Sequence, residues 1–204
     1  MKIAVVAHEN SWNEITSLSK NVQWERVPDM KVALEQKDAQ AIFNLANDAS
    51  TADYSTSKLP VFINAVAKTL GDLAAPANVI RLNGWNGFLR RPSWELAGEV
   101  ADAHLFVLDA LQRKVVITAD QPGFISARII CMIINEAFFA KEQNISTENE
   151  IDTAMKLGTN YPKGPFEWAT EIGIKNVYEL LATLSKGDHR YRPCTMLQSI
   201  VSQQ

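Results

Sequence analysis

Short apolar stretches alternate with helix-like patterns over the first half of the chain. A buried-type strand opens the sequence at Lys2–Ala7, and Val22–Val27 alternates apolar and polar residues as a half-buried strand does. The pattern predicts four further strands and three short helices: strands at Gln40–Ala46, Leu59–Ala65, Val79–Leu82 and Lys114–Thr118, and helices at Asn13–Lys20, Met30–Gln36 and Glu99–Gln112. Strands that alternate with helices indicate a mostly parallel sheet with right-handed crossovers. A polar stretch at Asp48–Lys58 is predicted as a loop or helix cap.

The second half carries helical patterns alone. Pro122–Lys141 is predicted as one long helix and Lys175–Lys186 as a later one, with a short last helix at Leu197–Val201. Thr147 and Glu150 have the spacing of a capping box, so another helix should begin there. Gly158 is placed to end that helix in the left-handed conformation.

This change of pattern predicts two domains. Residues 1–118 form an α/β domain with a mostly parallel sheet, and residues 119–204 form an all-helical domain. A chain of 204 residues suits two small domains and can bury a sizeable core.

Composition excludes several classes of partner. A net charge of −3 gives no electrostatic footprint for nucleic acid. No apolar run approaches the roughly 18–20 residues that span a bilayer. The two cysteines, Cys131 and Cys194, are expected to be reduced thiols in a cytoplasmic protein, although the sequence leaves a disulfide open. His8, His104 and His189 have no metal-ligand spacing, so no metal site is predicted.

Several blocks of the second half resemble the C-terminal helical domain of the L-3-hydroxyacyl-CoA dehydrogenase family. They are Pro122-Gly123-Phe124, Arg128, Asn135-Glu136-Ala137, the DTAMKLG run from Asp152 to Gly158, Pro162, the GPFE run from Gly164 to Glu167, and the RYRP run from Arg190 to Pro193. The resemblance implies a truncated Rossmann-like domain ahead of this helical domain. It also implies an NAD-dependent oxidoreductase of fatty-acid metabolism that dimerises through its helical domain.

The long helix supports the expectation of a homodimer. It is apolar around much of its circumference, with Ile129, Ile130, Ile133, Ile134, Phe138 and Phe139. A helix that is apolar on more than one face needs more than one partner surface. A second copy of the chain is therefore the predicted partner.

The dinucleotide-binding fingerprint of the family is absent from its expected place. A dehydrogenase of this family opens with a strand followed by G-x-G-x-x-G, whose glycines allow a tight turn and close approach to the pyrophosphate. Aligned on the opening strand, this chain has Ala7, Glu9 and Trp12 at the three glycine positions. The 118 residues ahead of the helical domain also fall short of the roughly 150 of two mononucleotide-binding halves. Some strands or helices of a complete Rossmann domain are predicted to be missing.

The resemblance also assigns positions to the catalytic residues. It places Asn86 where the family has its general-base His, and Gly98 where the family has the Glu that orients this His. Glu99 lies one residue away and takes that place if the register slips. An Asn side chain forms hydrogen bonds but does not abstract a proton near pH 7.

Two further family positions are substituted. Asn64 matches the Asn of the family's Ser loop, which puts Val66 at the Ser position. Thr56-Ser57 is locally similar but lies too far from Asn86 in the sequence. The family's Asn on the first helix of the helical domain falls at Ala127. The catalytic Ser, His, Glu and Asn are thus all predicted to be absent.

The run Asn83–Glu95 is a candidate ligand-binding loop. Arg90 and Arg91 can hold a phosphate or carboxylate through forked donors, and Trp85 and Trp94 can stack on a flat ligand. The candidate ligand-binding set is Asn64, Trp85, Asn86, Arg90, Arg91 and Trp94. The alternative is a loop that packs its tryptophans inside the protein and pairs its arginines with local acids.

Three functions follow from these residues. One is a non-catalytic relative of the family that binds a small anionic ligand, an acyl-CoA or a partner subunit, with no cofactor expected. A second is an active NAD-dependent 3-hydroxyacyl-CoA dehydrogenase with rearranged residues. A third is an enzyme of different chemistry built around the Asn83–Glu95 loop. The substitutions at the base and at the glycines favour the first.

Overall fold

The computed structural model of the chain describes residues 1–46 and 53–203. Residues 47–52, within the polar stretch predicted as a loop, lie outside the described part. The chain divides into two compact units, Met1–Phe124 and Ile125–Gln204. We call them the sheet unit and the helical unit. Residues 119–124 therefore pack with the sheet.

Over its described residues the sheet unit contains seven strands and three α-helices. The strands are β1 (Lys2–Val6), β2 (Gln23–Arg26), β3 (Ala41–Asn44), β4 (Val61–Asn64), β5 (Val79–Leu82), β6 (Ser93–Ala97) and β7 (Lys114–Ile117). The helices are α1 (Glu9–Thr16), α2 (Met30–Leu34) and α3 (Asp102–Ala110), and a 3-10 turn covers Tyr54–Thr56. Six of the strands match predicted ones to within a few residues.

One strand lies where a loop was predicted. Ser93–Ala97 forms β6, antiparallel to β5 and parallel to β7, so the run Asn83–Glu95 is a loop only in its first part. The short pattern was masked by the preceding Arg-Arg-Pro, which reads as a turn. Trp94, Leu96 and Ala97 of β6 are buried, because the strand lies between two neighbours in the sheet.

The strand order confirms a truncated Rossmann-like fold. The order is β2-β1-β3-β4-β5-β6-β7, with β1 to β5 mutually parallel. The usual doubly wound order is 3-2-1-4-5-6. This chain reproduces that order without the strand beyond β2, so within the described residues β2 forms an edge. The order still reverses between β1 and β3, and this is the topological switch point.

Two apolar layers cover the sheet. Ile15 of α1 and Val107 of α3 pack on one face, together with Phe43 and Phe62, whose rings stack at a centroid distance of 4.4 Å. Met30 and Ala33 of α2 pack on the other face. Both layers are close to fully buried. Burial at about 25 cal/mol per Å² of apolar surface is the main term that stabilises this unit.

A buried arginine holds residues 119–124 against the strands. Arg81 of β5 is fully buried, and its Nε lies 2.7 Å from Oδ1 of Asp120. The guanidinium also donates to three backbone carbonyls, those of Ala65, Lys68 and Gln121. The ring of Phe124 lies 4.8 Å from the guanidinium carbon. A single charged side chain thus links two strands to the end of the sheet unit.

The helical unit contains five helices. They are α4 (Ser126–Glu142), α5 (Glu148–Thr159), α6 (Pro165–Ile172), α7 (Ile174–Ser185) and α8 (Thr195–Ser202). Helix α4 packs against the other four. Its buried side chains include Ile130, Ile134 and Phe138, and the ring of Phe138 lies 4.9 Å from that of Phe166.

The helix boundaries confirm one predicted cap and correct another. At the start of α5 the Thr147 hydroxyl accepts the Glu150 N–H, and the Glu150 carboxylate accepts the Thr147 N–H, as the capping-box spacing predicts. Gly158 does not end this helix: α5 continues to Thr159, and Asn160 takes the left-handed conformation with φ 57°. Asn is the residue after Gly that best tolerates this region. Helix α6, which the sequence analysis did not predict, has Pro165 as its first residue.

Two buried polar side chains fix the helices of this unit. Asp152 of α5 accepts the N–H groups of Phe166 (2.8 Å) and Glu167 (3.1 Å) at the start of α6. A Cβ on Gly164 would lie 2.2 Å from the Asp152 carboxyl carbon, so this close approach requires glycine. Asn135 of α4 accepts the N–H of Cys194 at 2.9 Å and holds the segment that leads into α8.

Candidate functional site

The carboxyl ends of β1, β3, β4 and β5 define the candidate site. In an open α/β sheet, ligands bind outside these ends at the topological switch point, which here lies between β1 and β3. Ala7 follows β1, Asn44 and Asn64 end β3 and β4, and Asn83 follows β5. The last three are buried.

The turn after β1 is closed by an ion pair. Glu9 is the first residue of α1, and its carboxylate lies 2.6 Å from Nη1 of Arg26, the last residue of β2. Arg26 also donates to the carbonyl of Ala7 at 3.0 Å and 3.2 Å, and its guanidinium carbon lies 5.8 Å from the Trp12 ring. The hydrogen bond and charge of Arg26 lower the pKa of Glu9. Glu9 is therefore held as an anion beside the helix N-terminus, where an anionic ligand would bind.

The predicted glycine positions thus meet in one place. Ala7, Glu9 and Trp12 surround this turn, and Arg26 connects all three. Trp12 is partly buried against the core of the sheet unit. The role of Arg26 was not predicted from the sequence. The sequence signal for this role was the position of Arg26 at the end of β2, because the end of this strand faces the switch point in this topology.

Helix α1 also contacts the loop at the predicted catalytic position. Ser11 Oγ lies 3.5 Å from Oδ1 of Asn86, and the Gly87 N–H donates to Oε1 of Glu14 at 2.7 Å. Ser11 and Glu14 are both buried. The sequence analysis missed these two residues. The available signal was Glu14, whose carboxylate lies next to the core residue Ile15 in a short helix. A carboxylate in that place needs a specific hydrogen-bond partner.

The remaining family positions have no group suited to proton transfer. Val66 is buried, and its carbonyl accepts the Gly123 N–H at 2.7 Å. Gly98 lies between β6 and α3, and the neighbouring Glu99 is exposed. Ala127 is buried in α4 of the helical unit.

Asn64 has a structural partner at the site. Its Oδ1 accepts the N–H of Gly84 at 3.1 Å. A Cβ on Gly84 would lie 3.0 Å from the Asn64 Cβ, so the two residues are in tight contact. Asn64 thereby fixes the start of the loop that carries Asn86.

The two tryptophans of the predicted ligand loop pack inside the protein. Trp94 is 2% exposed in β6, its indole N–H donates to the Leu89 carbonyl at 3.0 Å, and its ring meets Phe43 edge-on. Trp85 is also buried and meets Phe88 edge-on. Neither ring offers a free face of the kind that stacks on a flat ligand, so the structure corrects this part of the prediction in favour of packing.

The two arginines of the loop differ from each other. The Arg91 guanidinium carbon lies 3.8 Å from the centroid of the Phe88 ring, as a cation–π contact requires. Arg90 is largely exposed, and its Nη2 lies 3.9 Å from Oε1 of Glu14. Arg90 is the loop cation that is better placed to meet a ligand from solvent.

Comparison with known proteins relates the helical unit to one family. The family description "3-hydroxyacyl-CoA dehydrogenase, C-terminal domain" matches residues 123–204. Over 96 residues, which are 46% of this chain, it is 41% identical to 3-hydroxyadipyl-CoA dehydrogenase of Escherichia coli (strain K12). Residues 123–204, which include the whole helical unit, therefore match the C-terminal domain of the 3-hydroxyacyl-CoA dehydrogenases. Within the residues that the structure describes, no group of three or more His, Cys, Asp or Glu is arranged to hold a metal ion.

Longer alignments extend the relationship over the sheet unit. The chain is 26% identical over 205 residues to 3-hydroxybutyryl-CoA dehydrogenase of Clostridioides difficile, which covers 92% of this chain and 71% of that protein. It spans only 20–32% of the length of three relatives that match it at 38–41% identity. High identity is thus confined to a part of each relative.

Solved structures show the same fold. FadB2 of M. tuberculosis superposes with a TM-score of 0.76 at 15% identity, over 98% of this chain and 93% of that one. (S)-3-hydroxybutyryl-CoA dehydrogenase of Ralstonia eutropha gives 0.71 at 19% identity, over 99% and 93%. The family's combination of a Rossmann-like sheet and a helical C-terminal domain is therefore present. Among the described residues, no helix is long and apolar enough to cross a membrane.

Proposed function

We propose that this family member has lost NAD-dependent hydride transfer and uses the inherited fold to bind a ligand or a partner protein. The observation that carries the proposal is the ion pair of Glu9 and Arg26 at the N-terminus of α1. A helix N-terminus in this position binds the pyrophosphate of a dinucleotide through its free N–H groups. Here a carboxylate of the protein takes that place.

Charge makes this arrangement unfavourable for a dinucleotide. Two like charges close together repel, and the Arg26 contact keeps the Glu9 carboxylate ionised. A pyrophosphate would therefore have to displace Glu9, and the Arg26 hydrogen bonds to Ala7 and Glu9 oppose that movement. The bulk of Trp12 adds to this where the fingerprint has its third glycine.

The catalytic position supports the same conclusion. Asn86 lies next to Ser11 and supplies no base. Loss of a general base costs on the order of 10²–10⁴ in rate. The alternative function, an active NAD-dependent 3-hydroxyacyl-CoA dehydrogenase, is favoured by the 41% identity to a named dehydrogenase over 96 residues. Burial of Trp85 and Trp94 removes the main support for an enzyme of different chemistry at this loop.

The proposed ligand carries an anionic group, as a small carboxylate or an acyl-CoA does. Exposed Arg90 is the residue that we expect to contact it. Action in the cytoplasm is part of the proposal, because Cys131 and Cys194 are both free thiols.

We further propose that two copies associate through the helical unit. Ile125, which directly precedes α4, and Ile129 on α4 are about half exposed, although large apolar side chains of this kind are usually buried. They lie one turn apart on the same face of the helix. Replacement of Ile129 by Lys should therefore break this contact and lower the mass that light scattering measures.

Titration with NADH tests the loss of the cofactor site. Tryptophan fluorescence should show no saturable quenching up to on the order of 1 mM NADH, the upper end of ordinary enzyme affinities. Glu9→Gln removes the negative charge while keeping the side-chain shape, so any residual affinity should increase in this variant. Glu148→Gln is the matched control, because Glu148 is the first residue of α5 as Glu9 is of α1. Saturable micromolar binding to the unmodified protein would contradict the proposal.

A further inference from the structure

The two edges of the sheet differ in chemistry. The β2 edge is short and charged: Glu25 pairs with Lys2 at 2.6 Å, Arg26 pairs with Glu9, and Pro28 follows closely. Short strands, charges and prolines are the devices by which proteins keep an edge from pairing with another chain. The opposite edge, β7, is equally short and begins with Lys114, but it carries no charge or proline from Val115 to Ile117.

The β7 edge exposes apolar side chains instead. Val116 is 40% exposed and Ile117 is 58% exposed. Helix α3, which packs against β7, adds Leu105 at 47% and Phe106 at 65%. These four residues are half of the large apolar side chains found exposed in the described part of the chain. We call them the β7 surface.

The backbone of β7 presents free hydrogen-bonding groups at this edge. The N–H groups of Lys114 and Thr118 donate to carbonyls of Pro92 and Leu96 on the β6 side. Along a parallel strand such bonds to one neighbour come from alternate residues. The N–H and C=O groups of Val115 and Ile117 therefore point away from β6, toward the open edge.

We propose that the β7 surface joins two copies of this chain by antiparallel pairing of β7 with β7 of the second copy. The two-fold axis passes at Val116, which faces Val116 of the second copy as a non-hydrogen-bonded pair. Val115 then exchanges both backbone hydrogen bonds with Ile117 of the second copy, and the reverse pair does the same. Every outward backbone group of the strand finds a partner in this register.

Side-chain chemistry favours a second copy as the occupant. In this register Lys114 lies opposite Thr118 of the second copy, so no like charges face each other. The central pair is β-branched against β-branched, which suits a pleated surface. A pair of four-residue strands is too small for a stable interface by itself, since specific interfaces bury roughly 1,200–2,000 Å². Phe106 and Leu105 supply the additional apolar area beside the strand.

Two substitutions at one position test this interface. Val116→Lys places two ammonium groups across the two-fold axis, where Cα atoms are about 4.5 Å apart, and Val116→Thr keeps a β-branched residue and the pairing. Light scattering at micromolar concentration measures the mass. Hydrogen exchange measures the amides of Val115 and Ile117, which are free in a single copy. We expect these two amides to exchange at least about tenfold more slowly in the unmodified protein and in Val116→Thr than in Val116→Lys.

The outcomes separate this interface from the one proposed on α4. Loss of amide protection in Val116→Lys, with protection retained in Ile129→Lys, supports the β7 pairing, whatever the α4 contact contributes to the mass. Unprotected amides at Val115 and Ile117 in the unmodified protein would overturn it. So would protection that persists in Val116→Lys. None of these results depends on whether the protein binds NADH.

Discussion

The helical unit and the sheet unit have kept different parts of the family pattern. In the helical unit the matching blocks contain two buried polar residues that join its helices, Asn135 and Asp152, and the glycine that makes room for Asp152, Gly164. In the sheet unit the apolar layers and the strand order persist, while the residues at the carboxyl edge have changed. Packing alone accounts for what is kept in both units.

This difference shows that the residues that stabilise the fold and the residues that carry its chemistry are constrained separately. A substitution of Asp152 or Gly164 disturbs folding, whereas Glu9 and Asn86 lie at a sheet edge where many side chains are compatible with the same backbone. We infer that the sheet unit was retained for its shape. The predictions below test how far each unit depends on its own polar contacts.

Replacement of Arg81 by Met should have the largest effect on stability. The variant leaves Asp120 and three carbonyls without their buried donor, which should cost about 3–5 kcal/mol in the free energy of unfolding. Four of the 5 tryptophans lie in the sheet unit, so urea unfolding followed by fluorescence reports on it. Arg26→Met, at the exposed pair, is the matched control and should cost less than about 1 kcal/mol. Equal losses in both variants would contradict a structural role for the buried arginine.

Glycine replacements in the helical unit should have opposite signs. Gly164→Ala forces a Cβ into the Asp152 carboxylate and should destabilise the unit by about 3 kcal/mol. Gly158→Ala lies inside α5 with no heavy atom within 4 Å of the new Cβ, and should stabilise it by up to about 1 kcal/mol. Urea unfolding followed by circular dichroism compares the two. A loss in both variants would show that α5 tolerates no added methyl group.

A smaller effect is expected from pH in the sheet unit. His104 is buried, and its Nε2 donates to the Asn78 carbonyl while its Nδ1 accepts the Ala101 N–H. Burial lowers the pKa of His104 in the folded state. As pH falls below about 6.5, the unfolded state takes up the proton first, so stability declines by up to about 1.4 kcal/mol per pH unit. His104→Gln should flatten this decline between pH 6.5 and 5; an unchanged slope would assign it to other groups.

The sequence predicted those features whose signals are local. Thr147 and Glu150 define a cap by spacing alone, and alternating patterns located six of the strands. β6 was missed because its buried position depends on neighbours that are distant in sequence. Helix α6 was missed because Gly164-Pro165 reads as a turn, although Pro also suits the first position of a helix.

The sequence predicted where the candidate site lies, but not which side chains contact each other there. Alignment with the family brought Ala7, Glu9 and Trp12 to one turn. Arg26 could not be assigned to it, because the strand that carries it follows in the sequence and meets the turn only in the folded sheet. The same holds for Glu14, which reaches Gly87 across 73 positions of sequence.

Hydride transfer from NADH to acetoacetyl-CoA is the most direct test of the central claim. With purified protein, the proposal predicts no enzyme-dependent decline in the absorbance of NADH above background, because it assigns no base to Asn86 and places Glu9 at the pyrophosphate position. Asn86→His alone should not restore activity, since the cofactor site remains closed. Turnover of the unmodified protein at an ordinary rate of about 1 s⁻¹ or more would contradict the account.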